Sequence, residues 1–257
     1  DWLAAEARLL AHLNHPSIPT TYHYWTSTAN KESRRGPGYL RRWIAGETVG
    51  ARLRRMGAED VPWVLNMARA VGSALAYLHD SGLSHGALSV ENVWVTPTGR
   101  LWLLGWEWAV TRDQVPAALR PDPQWAPSPP EWSGGVWRST PAADQWQLAA
   151  LCFTALTGER PPAESVPPIR LVRPECPADV AEVLDRALAH EPASRHRSVG
   201  TLLKAIDRLA PAQPLVVTSE TAEAAAARET AEQRLRWATA DDYEVLAALG
   251  AGTFGTV

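Results

Sequence analysis

"YLHDSGLSHGALSVENVWVTPTGRLWLLGWEWA", residues 77–109, changes character three times along its length. It opens on the end of a helix. Between Pro62 and Asp80 the apolar residues Val64, Ala68, Val71, Leu75 and Leu78 recur at helical spacing, and Gly82 is placed to cap the C-terminus. A loop of small and polar residues follows. The stretch then becomes "NVWV" and "RLWLL" around "TPTG", the signature of a two-stranded hairpin.

Upstream, residues 2–14 carry Leu3, Ala7, Leu10 and Leu13 on one helical stripe, with Glu6 inside that stripe. A carboxylate on a buried face requires a cationic partner, because an unpaired buried charge costs several kcal/mol. Extended pieces are expected at Thr21–Trp25 and Gly38–Ile44, joined by a polar connection over 27–37. Downstream, seven prolines between 110 and 142 mark an irregular loop (116, 121, 123, 127, 129, 130 and 141). Helices are expected at 143–157, 177–190 and 198–209. The order of helix, a few strands and then mostly helices is an α+β arrangement with segregated parts. Beyond Leu209 comes a linker and an Ala/Glu/Arg-rich spacer helix over 211–240, with little apolar face.

Composition limits the function classes. The 257 residues are 46% hydrophobic, enough for one large domain or two small ones. A formal net charge of −3 gives no electrostatic footprint for nucleic acid or an anionic membrane. No apolar run reaches the roughly 18 residues of a membrane helix. Two isolated cysteines, Cys152 and Cys176, build neither a disulfide framework nor a C-x-x-C site, so a reducing, cytoplasmic setting is expected. The 13 tryptophans are read as core or as lining of the proline-rich segment, none with a ligand.

Taken in order, these pieces resemble the eukaryotic-like protein kinase family in its bacterial Ser/Thr form. "EARLLAHLNHPSI" is similar to the αC helix and the strand entry after it, with Glu6 where the family pairs a glutamate with the ATP-binding lysine. "YLRRWIAGETV" resembles the hinge, "YLHDSGLSHGALSVENVWV" the catalytic loop, and "LWLLGWEWA" the metal-binding DFG segment. "SPPEW" resembles the A-P-E that closes the activation segment, "ADQWQLAALCFTALTGERPP" the long buried helix after it, and "EPASRHRSVGTLLKAI" the closing helices. The resemblance covers nearly all of residues 1–210 and implies a protein-kinase-like fold, its helical C-lobe nearly complete and its N-lobe truncated. It gives structural roles to Glu6, to His85 of H-R-D, to Asp144, which would hold the loop backbone, and to an ion pair of Glu131 with Arg195.

The chemical positions of the family do not carry over. Phosphoryl transfer needs a carboxylate near the substrate hydroxyl and another holding Mg²⁺ against the phosphates. Aligned on H-R-D, this chain reads His85, Gly86, Ala87, so the catalytic aspartate is replaced by alanine and the loop lysine by Ser89. Asn92 remains as a candidate Mg²⁺ ligand, and the DFG aspartate position is Gly105, followed by Trp106 and Glu107. Glu107 would share a face with position 105 in an extended segment. Metal catalysis is sensitive to displacements of about 1 Å, so a solvated glutamate is the reading adopted. Gly86 in place of the arginine also removes the docking site for a phosphorylated activation loop, whose early candidate would be Thr111.

Both ends read as continuing into a longer chain. "LGAGTFGTV" matches G-x-G-x-x-G-x-V, with Gly250, Gly252, Gly255 and Val257 in a loop that would bring backbone N–H groups to ATP phosphates. Without that context, glycines at this spacing equally mark an ordinary hairpin. The expected organisation is a pseudokinase domain at 1–210, a linker and spacer helix at 211–240, and the start of a second kinase domain at 241–257. ATP and Mg²⁺ would serve the second domain, with weak or no binding by the first. The partners expected are proteins or the adjacent kinase domain. The enzyme-class alternative is an atypical active kinase using Glu107. A structural alternative has residues 243–257 pairing with strands left open in 20–45.

Overall fold

The computed structural model describes residues 9–10, 12–25, 38–106, 109, 127–135, 138–162, 165–209, 251–252 and 255–256. The chain divides into two units, one of Asp1–Glu47, Val95–Arg100 and Leu215–Val257, the other of Thr48–Trp94 and Leu101–Pro214.

In the first unit β1 (Thr21–Trp25) and β2 (Gly38–Arg41) pair antiparallel, with His23 opposite Leu40 and Trp25 opposite Gly38. The register slips between Thr21 and His23, and the ladder closes with the Arg42 N–H on the Thr20 carbonyl at 2.7 Å. The expected second strand ends at Arg41 instead of Ile44. Of the helix expected over 2–14, Leu9, Leu10 and His12 are helical, and Leu10 and Leu13 are buried with Ile18. Glu6 lies outside the described residues.

β3 (Glu47–Thr48), β4 (Val93–Val95) and β5 (Leu101–Leu103) form a three-stranded sheet in the order β3-β4-β5, most of whose residues belong to the second unit. Helix α1 (Val49–Met56) and helix α2 (Val61–Asp80) follow β3. Asp60 starts α2 by accepting the Trp63 N–H at 2.8 Å, with proline in the first turn, where a missing N–H costs nothing. The helix stops at Ser81, and Gly82, at φ 76°, takes the left-handed turn.

Helix α3 (Pro141–Thr157) is the axis of this unit. Residues 143–153 along it are all buried, as expected of a helix enclosed on every side. Thr140 caps it through the Ala143 N–H at 3.1 Å. It packs against α2, against α5 (Ala178–Ala187) and against α6 (Val199–Leu209), and α2 also lies along α6. On α3, burial pushes the Cys152 thiol up to about 12, so this cysteine is apolar filler with no nucleophilic character at neutral pH.

Two helices escape the apolar pattern. No element is expected from the sequence at α1, but Thr48 accepts the Ala51 N–H at 3.0 Å and starts it. The short α4 (Ile169–Val172) is begun by the Asp185 carboxylate, which accepts the Ile169 N–H at 3.0 Å from a distant helix. The proline-rich segment, expected to be irregular throughout, holds a 3-10 turn at Pro130–Gly135. Ties of this kind are side-chain to backbone and leave no periodicity to read.

Candidate functional site

The loop 84–92 hangs from one face of α3. Asp144, fully buried in the first turn, accepts the Gly86 N–H on Oδ1 at 2.8 Å. On Oδ2 it accepts the His85 N–H at 2.8 Å and meets His79 Nε2 at 2.7 Å. Three residues along the same face, Gln147 Oε1 accepts the Leu88 N–H at 3.2 Å, while its Nε2 donates to the Pro127 carbonyl at 3.0 Å. Backbone groups that a helix or sheet would satisfy elsewhere are satisfied here by two side chains on α3.

His85 is fully buried, with Nε2 at 2.9 Å from the Leu104 carbonyl just past β5. Its ring lies edge-on to Trp106, centroids 5.1 Å apart at 66°, and the Trp106 indole donates to the Leu103 carbonyl at 3.0 Å. His85 joins the loop to the hairpin and offers no proton to an open cleft.

The chemical positions lie in the same frame. Ala87 and Ser89 are buried, and Ser89 lines a cavity of about 230 Å³ bounded also by Glu91, Pro127, Leu151, Thr154 and Arg160. Asn92 Nδ2 donates to the Ala87 carbonyl at 2.8 Å, and Gly105 sits at φ 79° beside the Asn92 amide. A metal bound between positions 92 and 105 would need carboxylate oxygens there. The side chains at 87 and 105 supply none, and among the described residues no group of three His, Cys, Asp or Glu could hold a metal ion. The residues present do not fit Mg²⁺. Glu107 and Thr111 lie outside the described residues.

One contributor escaped the sequence reading. Glu91 Oε2 accepts the Thr48 hydroxyl at 2.7 Å and Oε1 accepts from Arg54 at 2.8 Å, so the loop is tied to α1, where the Gly50 N–H also donates to the Val90 carbonyl at 2.9 Å. A Cβ on Gly50 would lie 2.7 Å from Glu91 Cδ. The signal available in the sequence was Thr48 three residues ahead of Ala51, a helix start. Gly50→Ala is therefore expected to destabilise the chain by about 1 kcal/mol despite the better helix propensity of alanine. In an Glu91→Ala background the same change becomes neutral or stabilising, because the obstructing carboxylate is gone. Urea unfolding of the four variants checks this, and equal losses in both backgrounds refute it.

Further along the chain, Arg195 is 2% exposed and places all of its donor nitrogens. Nη1 and Nη2 meet the two oxygens of Glu131 at 2.8 and 2.6 Å, a fork-to-fork pair. Nη1 also donates to the Ala142 carbonyl at 2.9 Å, Nε to Ala189 at 2.9 Å and Nη2 to His190 at 3.1 Å. The pair joins the 3-10 turn, the start of α3 and the segment after α5.

At the C-terminus, Ala251–Gly252 (β6) pairs antiparallel with Gly255–Thr256 (β7), Gly252 opposite Gly255. The two strands form their own sheet, and among the described residues neither joins β1 or β2. Gly250 and Val257 lie outside the described residues, as does all of 243–250, on which the fold-back pairing would rest.

With this geometry in place, comparison with known proteins gives a consistent picture. No protein-family model matches the chain. It is 30% identical over 272 residues to the serine/threonine-protein kinase PknA of Mycobacterium tuberculosis, covering 91% of this chain and 61% of that protein. A Corynebacterium efficiens serine/threonine-protein kinase, drp72, is 25% identical over 78% of this chain and 41% of its own length. Among solved structures, Rad53 1–466 in complex with AMP-PNP superposes at a TM-score of 0.60 with 17% identity, covering 80% of this chain and 54% of that one, a likeness of fold. The chain thus spans about 61% of the length of the curated relatives it matches first.

Proposed function

We propose that the chain is a member of the eukaryotic-like Ser/Thr protein kinase family of bacteria, as its likeness to PknA and drp72 supports, and that its residues 1–210 are a pseudokinase domain that works by protein contact and transfers no phosphate. The observation that carries this is the contrast within one loop. The backbone supports at His85, Asp144 and Gln147 are complete, while the positions that would do chemistry are Ala87, Ser89 and Gly105. Positioning and charge neutralisation supply almost all phosphoryl-transfer catalysis, so a loop without either carboxylate has nothing to transfer with.

In this reading the domain is a regulatory or scaffolding module in a tandem Ser/Thr kinase protein. Residues 211–240 are the linker and spacer helix. Residues 241–257 begin a second kinase domain, whose Gly250, Gly252, Gly255 and Val257 approach ATP phosphates and which uses ATP and Mg²⁺. The partner of residues 1–210 is that adjacent domain or another protein. Nucleic acid is disfavoured by the net charge of −3. Among the described residues no helix is long and apolar enough to cross a membrane. A reducing, cytoplasmic setting is supported by Cys152 and Cys176, both buried and unpaired.

Thermal unfolding with Mg²⁺-ATP tests the reading. A ligand at 100 times its Kd contributes about 2.7 kcal/mol, or a rise in Tm of roughly 5–10 °C at this size. The expected result is a shift below about 1 °C and no labelled phosphate on any protein substrate. A large Mg²⁺-dependent shift together with phosphate transfer would instead select the atypical kinase with Glu107 as metal ligand.

A further inference from the structure

We infer that the cleft between residues 165–168 and the C-terminal end of α5 is a docking site for a partner protein, suited to a lysine or arginine side chain flanked by an apolar one. The inference deepens the protein-contact reading and rests on it for the partner being a protein.

The cavity has a volume of about 240 Å³. That is below the roughly 300–1,000 Å³ of small-molecule and cofactor sites, and it suits a single side chain. Its walls are largely apolar, with Val166, Pro167 and Pro168 on one side and Leu188 and Ala189 on the other. Pro167 and Pro168 have fixed φ and no N–H, so their wall is ordered before binding and offers no hydrogen-bond donor.

Asp185 is the anion lining this space. Its Oδ1 accepts the Ile169 N–H at 3.0 Å, and among the described residues no ion pair reaches the carboxylate. Burial pushes the Asp185 carboxyl up, and the Ile169 N–H opposes this only in part. His190 also lines the cavity, but it is exposed and its Nδ1 lies 3.3 Å from Glu191 Oε1. A half-buried carboxylate with one neutral donor keeps lone pairs to offer, and a cationic N–H makes the stronger bond to them.

The rim supplies the apolar half of the recognition. Leu171 is 75% exposed and sits one turn beyond Pro168, whose carbonyl accepts its N–H at 2.9 Å. Val172 beside it is 36% exposed, while Ile169 is fully buried and anchors α4. An exposed leucine alone needs no explanation. Next to a pocket with a desolvated carboxylate it completes the arrangement of an interface anchor site, a charged floor ringed by apolar contacts that exclude water.

The test uses the full 257-residue chain and short fluorescent peptides, identical except for a central arginine, lysine, norleucine or glutamate between leucines. Binding is read by anisotropy and located by the NMR shifts of the Val166, Asp185 and Leu188 amides. The arginine and lysine peptides are expected to bind at least about tenfold more tightly than the other two, through the charge-assisted bond to Asp185. Asp185→Asn should level arginine with norleucine at unchanged fold, because asparagine still accepts the Ile169 N–H. Leu171→Ala, at an exposed position, should weaken both cationic peptides by about fivefold through lost apolar contact. The inference is overturned if no peptide binds with a Kd below about 1 mM, if norleucine matches arginine, or if the preference survives Asp185→Asn. Dimerisation of the chain that competes with the peptides would place a second copy in the cleft and overturn a separate partner. Phosphate transfer by the parent chain would count against the pseudokinase reading and leave the peptide result standing.

Discussion

Arg195→Ala is expected to destabilise the chain by about 3–5 kcal/mol, the cost of breaking a buried pair from one side. The removed side chain leaves the Glu131 carboxylate and the carbonyls of Ala142, Ala189 and His190 without their donors. At roughly 2–4 °C per kcal/mol for this size, Tm should fall by about 6–20 °C. Arg195→Lys is the sharper variant. Lysine keeps the charge but has one nitrogen where the guanidinium spreads five N–H groups in a plane, so it cannot reach both Glu131 oxygens and the three carbonyls together. The lysine variant should lose more than half of what alanine loses. Glu131→Gln should lose less than either, because the Glu131 side chain is 24% exposed and Arg195 retains its carbonyl partners. Thermal and urea unfolding of the three variants give the order, and a lysine variant within about 0.5 kcal/mol of the parent would refute the five-donor account.

Asp144→Ala is the second large effect, at about 4 kcal/mol. Two buried backbone N–H groups and a histidine would lose their acceptor at once, and each orphaned buried donor costs about 1–3 kcal/mol. The damage should be local as well as global. Amide exchange at His85 and Gly86 should rise by orders of magnitude relative to β5, since Asp144 is their acceptor. Asp144→Asn should fall between parent and alanine, as one oxygen remains to accept while the amide NH₂ faces donors. Unchanged exchange at Gly86 in the alanine variant would remove Asp144 as the support of the loop.

Much of the fold was legible because its elements carry strong local signals. The apolar stripe of α2, the turn "TPTG" between β4 and β5, and the continuous apolar run of α3 each appear in the sequence at nearly the observed bounds. Helices α1 and α4 were not legible. Each is started by a polar tie, Thr48 for α1 and Asp185 from sixteen residues downstream for α4. The 3-10 turn at Pro130–Gly135 was hidden by the prolines around it. Glu91 was missed for the same kind of reason, as its partners Thr48 and Arg54 lie 43 and 37 residues away.

The sequence by itself determined which chemistry is missing. Alanine at 87 and glycine at 105 have no side-chain carboxylate to offer in any conformation, and no fold can supply one. Only the tertiary structure decided how those positions are held. Where Ala87 and Gly105 lie relative to Asn92 depends on how closely the loop and the hairpin approach. That approach is set by the Leu104 N–H on the Asn92 carbonyl, by His85 on the Leu104 carbonyl and by Asp144 beneath them both. These are contacts between residues 12, 19 and 59 positions apart, and their distances follow from packing, which no local pattern of residues encodes.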